Sequence, residues 1–192
     1  MRSAAQSKHD VLCYRSSTAN PLLMNLLPLT ADHWPAVRAI YAEGMATGTA
    51  TFATELPTWE DWDSGHLSYC RLVATDEAGT VLGWAALSPV SSRCVYAGVA
   101  EVSVYVAAAA RGRGVGLELM RALTTESEQN GLWTLQAGIF PENAASLRLH
   151  AAVGFRQVGR RERIGQLRGV WHDTLLLERR SAVVGAANTP AA

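Results

Sequence analysis

Cysteine is scarce in this 192-residue chain: Cys13, Cys70 and Cys94 are widely spaced and odd in number. They exclude a disulfide framework and a Cys-x-x-Cys zinc site, and one thiol must stay unpaired, which fits a reducing cytoplasm. Metal-ligand spacing is missing too. The histidines, His9, His33, His66, His150 and His172, show no His-x-x-x-His or Cys/His pattern, so no metal is predicted. Neither sign of charge is in surplus, with Lys and Arg totalling 17 against 17 Asp and Glu. Affinity for a phosphate backbone needs excess cations, so nucleic acid is not an expected partner. No apolar run approaches the roughly 20 residues that span a bilayer. The stretch Pro21 to Pro28 is interrupted by Asn25 and bounded by prolines. No transmembrane helix and no membrane partner are expected.

What is present is apolar material for a core. Hydrophobic residues make up 48% of the chain and charged residues 18%, the balance of one globular domain of ordinary size. Met1 to Leu23 carries Arg2, Lys8 and Arg15 ahead of a short apolar stretch, without the apolar region and small-residue cleavage site of a signal peptide. Residues 1–23 are therefore read as a disordered extension, 24–180 as the domain and 181–192 as an unstructured tail. Met24, just before the first core strand, is read as the natural start.

Periodicity and turn chemistry order the elements. Asn25 to Leu29 reads as a strand, and Thr30 caps a helix from about Ala31 to Thr47 that tolerates Pro35 in its first turn. The Thr-rich segment Gly48 to Pro57 is a loop, and Thr58-x-x-Asp61 opens a second helix. Strands Tyr69 to Thr75 and Val81 to Leu87 are joined by Asp76-Glu-Ala-Gly79, which has hairpin chemistry. After an irregular loop, Ser88 to Val99, the alternation Glu101-Val-Ser-Val-Tyr-Val106 gives a strand. A helix follows from Gly112 to Asn130, closed by Gly131. Then come a strand from Trp133 to Phe140, a helix from Asn143 to Val153 stopped by Gly154, and strands over Arg156 to Ile164 and Val170 to Arg179. Strands alternating with helices, plus a hairpin and a terminal strand pair, predict a single mixed α/β domain.

The most informative stretch is Val104-Tyr-Val-Ala-Ala-Ala-Ala-Arg-Gly-Arg-Gly-Val-Gly116: a strand, a spacer, then alternating glycines opening a helix. Glycines let backbone N–H groups turn inward and approach an anion, and the helix N-terminus adds a favourable dipole. Arg111 and Arg113 would supply charge. The spacing alone is equally compatible with a tight turn that binds nothing. No Lys-Ser or Lys-Thr follows the glycines, which excludes a Walker loop, and Leu117 occupies the place of the last glycine of a dinucleotide fingerprint. Glu101, a carboxylate inside an apolar strand, is a candidate general base whose pKa burial would raise; a structural carboxylate paired with an arginine fits its position as well.

Arg111-x-x-Gly114-x-Gly116 resembles the pyrophosphate loop of the GCN5-related N-acetyltransferases, and Asn143-Ala-Ala-Ser-Leu-Arg-Leu-His-Ala-Ala-Val-Gly-Phe155 resembles their second cofactor segment. Within that superfamily the chain resembles the phosphinothricin and methionine sulfoximine acetyltransferases over Leu26 to Arg180. The segments Thr49 to Glu55, Glu101 to Val106, Ile139 to Asn143, Leu149-His150 and Val170 to Asp173 carry the likeness. The resemblance implies a mixed, mostly antiparallel sheet flanked by helices, acetyl-CoA as cosubstrate and a small-molecule amine as acceptor. It implies that Val104, Tyr105 and Val106 meet the pantetheine arm, that Arg111, Gly112, Arg113, Gly114, Val115 and Gly116 hold pyrophosphate, and that Asn143 and Ser146 lie along the cofactor. It makes Glu101 the base, with oxyanion support near Val104. His150 becomes the general acid or proton relay for the leaving thiolate, against the plainer reading of a helix histidine bonded to backbone.

The loop Ser88 to Tyr96 resembles the subfamily's substrate loop, which implies that Arg93 takes an anionic group and Tyr96 adds a hydroxyl, with Phe52 as an apolar wall. A solvated surface role for Arg93 remains open. That loop departs from the subfamily at Val90 and Ser91, where aromatic and basic residues are often found, which counts against phosphinothricin itself and leaves a related small amino acid as acceptor. A cytoplasmic homodimer that detoxifies glutamate analogues such as phosphinothricin, methionine sulfoximine or arsinothricin is the implied whole. Acetylation of a protein N-terminus or another amine, or an acyl-CoA sensor, stands as the alternative.

Overall fold

The computed structural model describes residues 24–186. The expected extension over 1–23 and the tail beyond 186 lie outside the described residues. Strands β1 (Asn25–Pro28), β2 (Arg71–Thr75), β3 (Val81–Pro89), β4 (Val99–Val106), β5 (Thr134–Ile139), β6 (Arg156–Leu167) and β7 (Val170–Arg180) form one sheet in the order β1-β2-β3-β4-β5-β7-β6. Helices α1 (Trp34–Ala46), α2 (Trp59–Gly65), α3 (Val115–Gln129) and α4 (Ala144–Ala152) complete the α/β domain. All pairings are antiparallel except β4 with β5.

Strand alternation sends side chains to two cores. On one face Leu72, Ala74, Ala85 and Leu87 pack with Leu119, Met120 and Leu123 of α3. On the other Val73, Trp84 and Ala86 meet Val37 and Ile40 of α1 and Trp62 of α2. Each fully buried leucine or valine of these layers contributes about 1.5–3 kcal/mol, so α1 and α3 clamp the sheet from both sides.

Local chemistry set most boundaries and moved a few. Asp76 Oδ1 accepts from the N–H groups of Ala78 and Thr80, and Gly79 takes a left-handed φ of 84°, closing the β2–β3 turn as expected. Thr58 Oγ1 accepts from Asp61 N at 3.1 Å and caps α2. The helix predicted from Ala31 opens instead with a 3-10 turn over Ala31–His33. The one predicted from Gly112 begins at Val115, because Gly112 and Gly114 have φ of 74° and 85°, outside helical space. The irregular Ser88 to Val99 loop holds a 3-10 turn at Cys94–Tyr96. The tail expectation is corrected over 181–186: Ser181 is buried and its N–H donates to Trp133 O, while the Arg180 guanidinium donates to the Val184 and Gly185 carbonyls.

One feature of the sheet creates a site. The parallel β4–β5 ladder runs only through Val99↔Thr134, Ala100↔Leu135 and Glu101↔Gln136. Past Glu101, β4 stays paired to β3 and β5 to β7, so the two strands form a fork with Glu101 and Gln136 at its vertex.

Candidate active site

The fork opens into a cleft of about 710 Å³ bounded by β4, β5, the start of α3, α4 and the loop 47–52. Backbone alternation decides what β4 shows it. Ala107 N–H donates to Leu82 O at 2.9 Å, and β3 pairs with β4 without irregularity from Gly83↔Val106 to Pro89↔Ala100. In an antiparallel ladder both backbone groups of a residue point to the same side and alternate along the strand. Val104 and Val106 therefore turn their N–H and C=O groups into the fork. Arg111 Nε donates to Val106 O at 3.2 Å, which agrees.

The glycine turn behaves as its spacing suggests. Gly112 and Gly114 both line the cleft in left-handed conformations, and a Cβ on either would meet nothing within 4 Å, so backbone and open space lie side by side. Gly116 serves packing: a Cβ there would stand 3.1 Å from Leu149 and 3.4 Å from Val106. Val115 and Gly116 begin α3, and as its first two residues their N–H groups have no intrahelical acceptor. Arg111 lines the cleft; Arg113 is exposed and does not. Glu43 Oε2 on α1 accepts from Ala108 N at 2.6 Å and anchors the strand-to-turn spacer. A polar backbone cradle with one guanidinium, leading to walls of Val104, Val106, Leu149 and Ile139, suits an extended ligand with an anionic end.

Glu101 lines the same space. It is half-buried, less enclosed than its apolar strand suggested, and its Oε2 accepts from Gln136 Nε2 at 2.9 Å. His150 is 2% exposed. Its Nδ1 lies 2.9 Å from the Ser146 carbonyl oxygen, which only accepts, so Nδ1 carries the proton and the neutral ring shows a lone pair at Nε2. That Nε2 is buried and has no partner among the described residues. Burial holds the His150 pKa below its ordinary value, against a smaller opposing effect of the Ser146 bond. Of the two expected roles, general acid or proton relay, this tautomer suits the relay: a neutral ring has no Nε2–H to give and must take a proton before it can pass one on.

Asn143 and Ser146 both line the cleft, yet the Asn143 side chain is occupied. Its Oδ1 accepts from Ser146 N at 3.1 Å, capping α4, and its Nδ2 donates to Thr49 O at 3.2 Å. It ties the loop 47–52 to α4. Tyr105 lines the cleft, stacks on Trp84 at 4.8 Å and donates its hydroxyl to Ala50 O at 3.4 Å; burial pushes its pKa up.

Phe52 forms the expected wall, edge-on to Phe140 at 4.6 Å and backed by His172 at 6.4 Å. Arg93 and Tyr96 do not join it. Both are exposed, with the Arg93 guanidinium 5.6 Å from the centre of the Tyr96 ring, a cation–π pair on the surface. Sequence reasoning does not single out Gln136, Phe140, Thr47 or Thr51, which line the cleft or face its carboxylate. A glutamine between Leu135 and Ala137 is the same signal, a polar residue in an apolar strand, that exposed Glu101. Among the described residues no group of three His, Cys, Asp or Glu side chains is gathered to hold a metal ion.

The model of the acetyltransferase (GNAT) family matches residues 34–155. An L-methionine sulfoximine/L-methionine sulfone acetyltransferase of Pseudomonas paraeruginosa is 34% identical over 149 residues, 75% of this chain and 87% of that protein. A phosphinothricin N-acetyltransferase of Streptomyces coelicolor is 40% identical over 136 residues, 67% of this chain and 80% of its own length. Among solved structures, a GNAT superfamily phosphinothricin acetyltransferase from Sinorhizobium meliloti in complex with AcCoA superposes with a TM-score of 0.78 at 28% identity, covering 87% of this chain and 93% of that one.

Proposed function

This chain belongs to the acetyltransferase (GNAT) family, and from that premise we propose that it acetylates the α-amino group of a small amino acid or glutamate analogue of the phosphinothricin, methionine sulfoximine or arsinothricin type. The observation that carries the reading is one continuous cleft joining a carboxylate at the vertex of a strand fork to a glycine cradle at the start of a helix. The cradle and its apolar walls fit acetyl-CoA. Gly112, Gly114, Val115, Gly116 and Arg111 would hold its pyrophosphate, and Val104 and Val106 its arm. Bound there, acetyl-CoA supplies an acetyl thioester.

The chain's own groups supply the rest. An α-ammonium has a pKa of about 8 and cannot attack until it loses a proton. Glu101, with Oε2 held by Gln136, takes that proton and leaves a neutral amine. The Val104 N–H, turned into the fork by the alternation of β4, is a preformed donor for the oxygen on which negative charge develops. His150 is assigned a relay at Nε2: fixed in one tautomer by Ser146 O, it would take the proton that the amine sheds once its N–C bond has formed and pass it to the coenzyme A sulfur as the C–S bond breaks. Phe52 and Phe140 exclude water beside the reacting centre.

The same reading includes a cytoplasmic homodimer. Supporting the dimer are three exposed apolar residues, Ile164, Val170 and Trp171, on the β6–β7 hairpin, whose β6 is an edge strand of the sheet. No helix among the described residues is long and apolar enough to cross a membrane.

The test is release of the coenzyme A thiol from acetyl-CoA with a panel of phosphinothricin, methionine sulfoximine, methionine sulfone, arsinothricin, glutamate, polyamines and N-terminal peptides. Turnover confined to the amino-acid analogues, lost in Glu101→Gln with coenzyme A affinity kept, is expected. Turnover with peptides or polyamines alone would overturn the acceptor class.

A further inference from the structure

Among the described residues no arginine, the usual partner of a half-buried acid, holds the Glu101 carboxylate. Its partner is the neutral amide of Gln136, on the strand beside it in register. An ionised carboxylate only accepts, so the amide must turn its NH₂ toward Oε2. Gln136 stands between two carboxylates, being level with Glu101 on β4 and with Glu178 on β7. Glu178 is engaged by the Arg156 guanidinium, which leaves the Gln136 amide to Glu101. The bond sits where the parallel ladder ends. Upstream the two strands are backbone-paired, and downstream they separate around the cleft, so the contact is the last lateral tie before the fork.

We propose that Gln136 is a positioning residue for the acetyl transfer: its amide pins one oxygen of the Glu101 carboxylate at the vertex of the fork and leaves the other free to face the acceptor amine. The inference rests on the reading of Glu101 as the base. Without the amide the carboxylate gains torsional freedom about its last bonds, and the population with an oxygen aimed at the amine falls. A neutral partner has a second consequence. A guanidinium at that place would hold the carboxylate as a spent ion pair, whereas an amide orients it without cancelling the charge that must accept the proton.

A double-mutant cycle on the full chain tests this, with Gln136→Met and Glu101→Gln made singly and together. A lost hydrogen bond to a charged group predicts about tenfold lower kcat for Gln136→Met, with KM for acetyl-CoA and the melting temperature unchanged. In the Glu101→Gln background the same substitution should change the residual rate by less than about twofold, because the group it orients is gone. Equal losses in both backgrounds, or no loss in the native one, would overturn the proposal. If Gln136→Met does not fold, Gln136→Thr, a good strand former that cannot reach Oε2, takes its place. Full turnover in Glu101→Gln would instead overturn the assignment of the base. A readout independent of turnover is the side-chain amide pair of Gln136 in ¹⁵N-labelled protein. Its exchange with solvent should be slow and should speed up in Glu101→Ala; fast exchange in the native chain would refute the bond.

Discussion

Substituting Gly44→Ala sets two effects of opposite sign against each other at the rim of the cleft. Gly44 lies in α1, where alanine is normally the better helix former by about 1 kcal/mol. An added Cβ would also stand 2.6 Å from two ring carbons of Tyr105. That ring has little room to retreat, since it stacks on Trp84 at 4.8 Å and meets Tyr41 edge-on at 4.9 Å. Overpacking of this kind costs about 1–3 kcal/mol, so the clash should outweigh propensity and leave the variant roughly 0–2 kcal/mol less stable. For a chain of this size each kcal/mol corresponds to about 2–4 °C in melting temperature. Because Tyr105 also lines the cleft and bonds Ala50 O, displacing it should loosen the loop 47–52 and raise KM for the amine. Thermal and urea unfolding of the purified chain, with amine titrations at saturating acetyl-CoA, measure both. A variant more stable than the native chain by about 1 kcal/mol would mean that Tyr105 yields freely, and the argument from packing would fail.

The two arginines of the glycine turn should separate. Arg111→Ala is expected to weaken coenzyme A binding roughly tenfold, while Arg113→Ala, outside the cleft, stays within about twofold; calorimetry giving equal losses would contradict the placement. For His150 the sign follows from burial. The native ring, with its pKa below the ordinary 6.5, binds fewer protons than the unfolded one, so its contribution to stability is present above pH 6.5 and is lost as pH falls through that value toward the lowered native pKa. His150→Asn should flatten that part of the stability profile relative to the native chain, and identical slopes in urea titrations across the window would sink the assignment. Glu126, raised by burial from 4.5, contributes with the opposite sign in both proteins and cancels in the difference.

Local chemistry made much of the fold legible. Thr58 as a cap, Asp76 and Gly79 in a turn and the alternation of β4 act through neighbours a few residues away, and each appears where its pattern placed it. The start of α3 lies three positions beyond the one its amphipathic spacing predicts, because that spacing does not report left-handed φ, which only the turn geometry of Gly112 and Gly114 supplies. Resemblance places Arg93 and Tyr96 in a pocket, yet an exposed loop takes its conformation from contacts with no local signature. His150 was legible as a residue at the site, while its tautomer depends on one carbonyl, Ser146 O, that no pattern reveals.

The inventory is therefore written along the chain: the elements, the glycine cradle and a carboxylate in an apolar strand. These are encoded in spacings of two, three or four residues, where steric and hydrogen-bonding preferences act directly. Tertiary structure alone decided which of these groups share a cleft and how each is oriented. The parallel ladder ending at Glu101 and Gln136 joins residues 35 positions apart, through a pairing set by the packing of the whole sheet between α1 and α3.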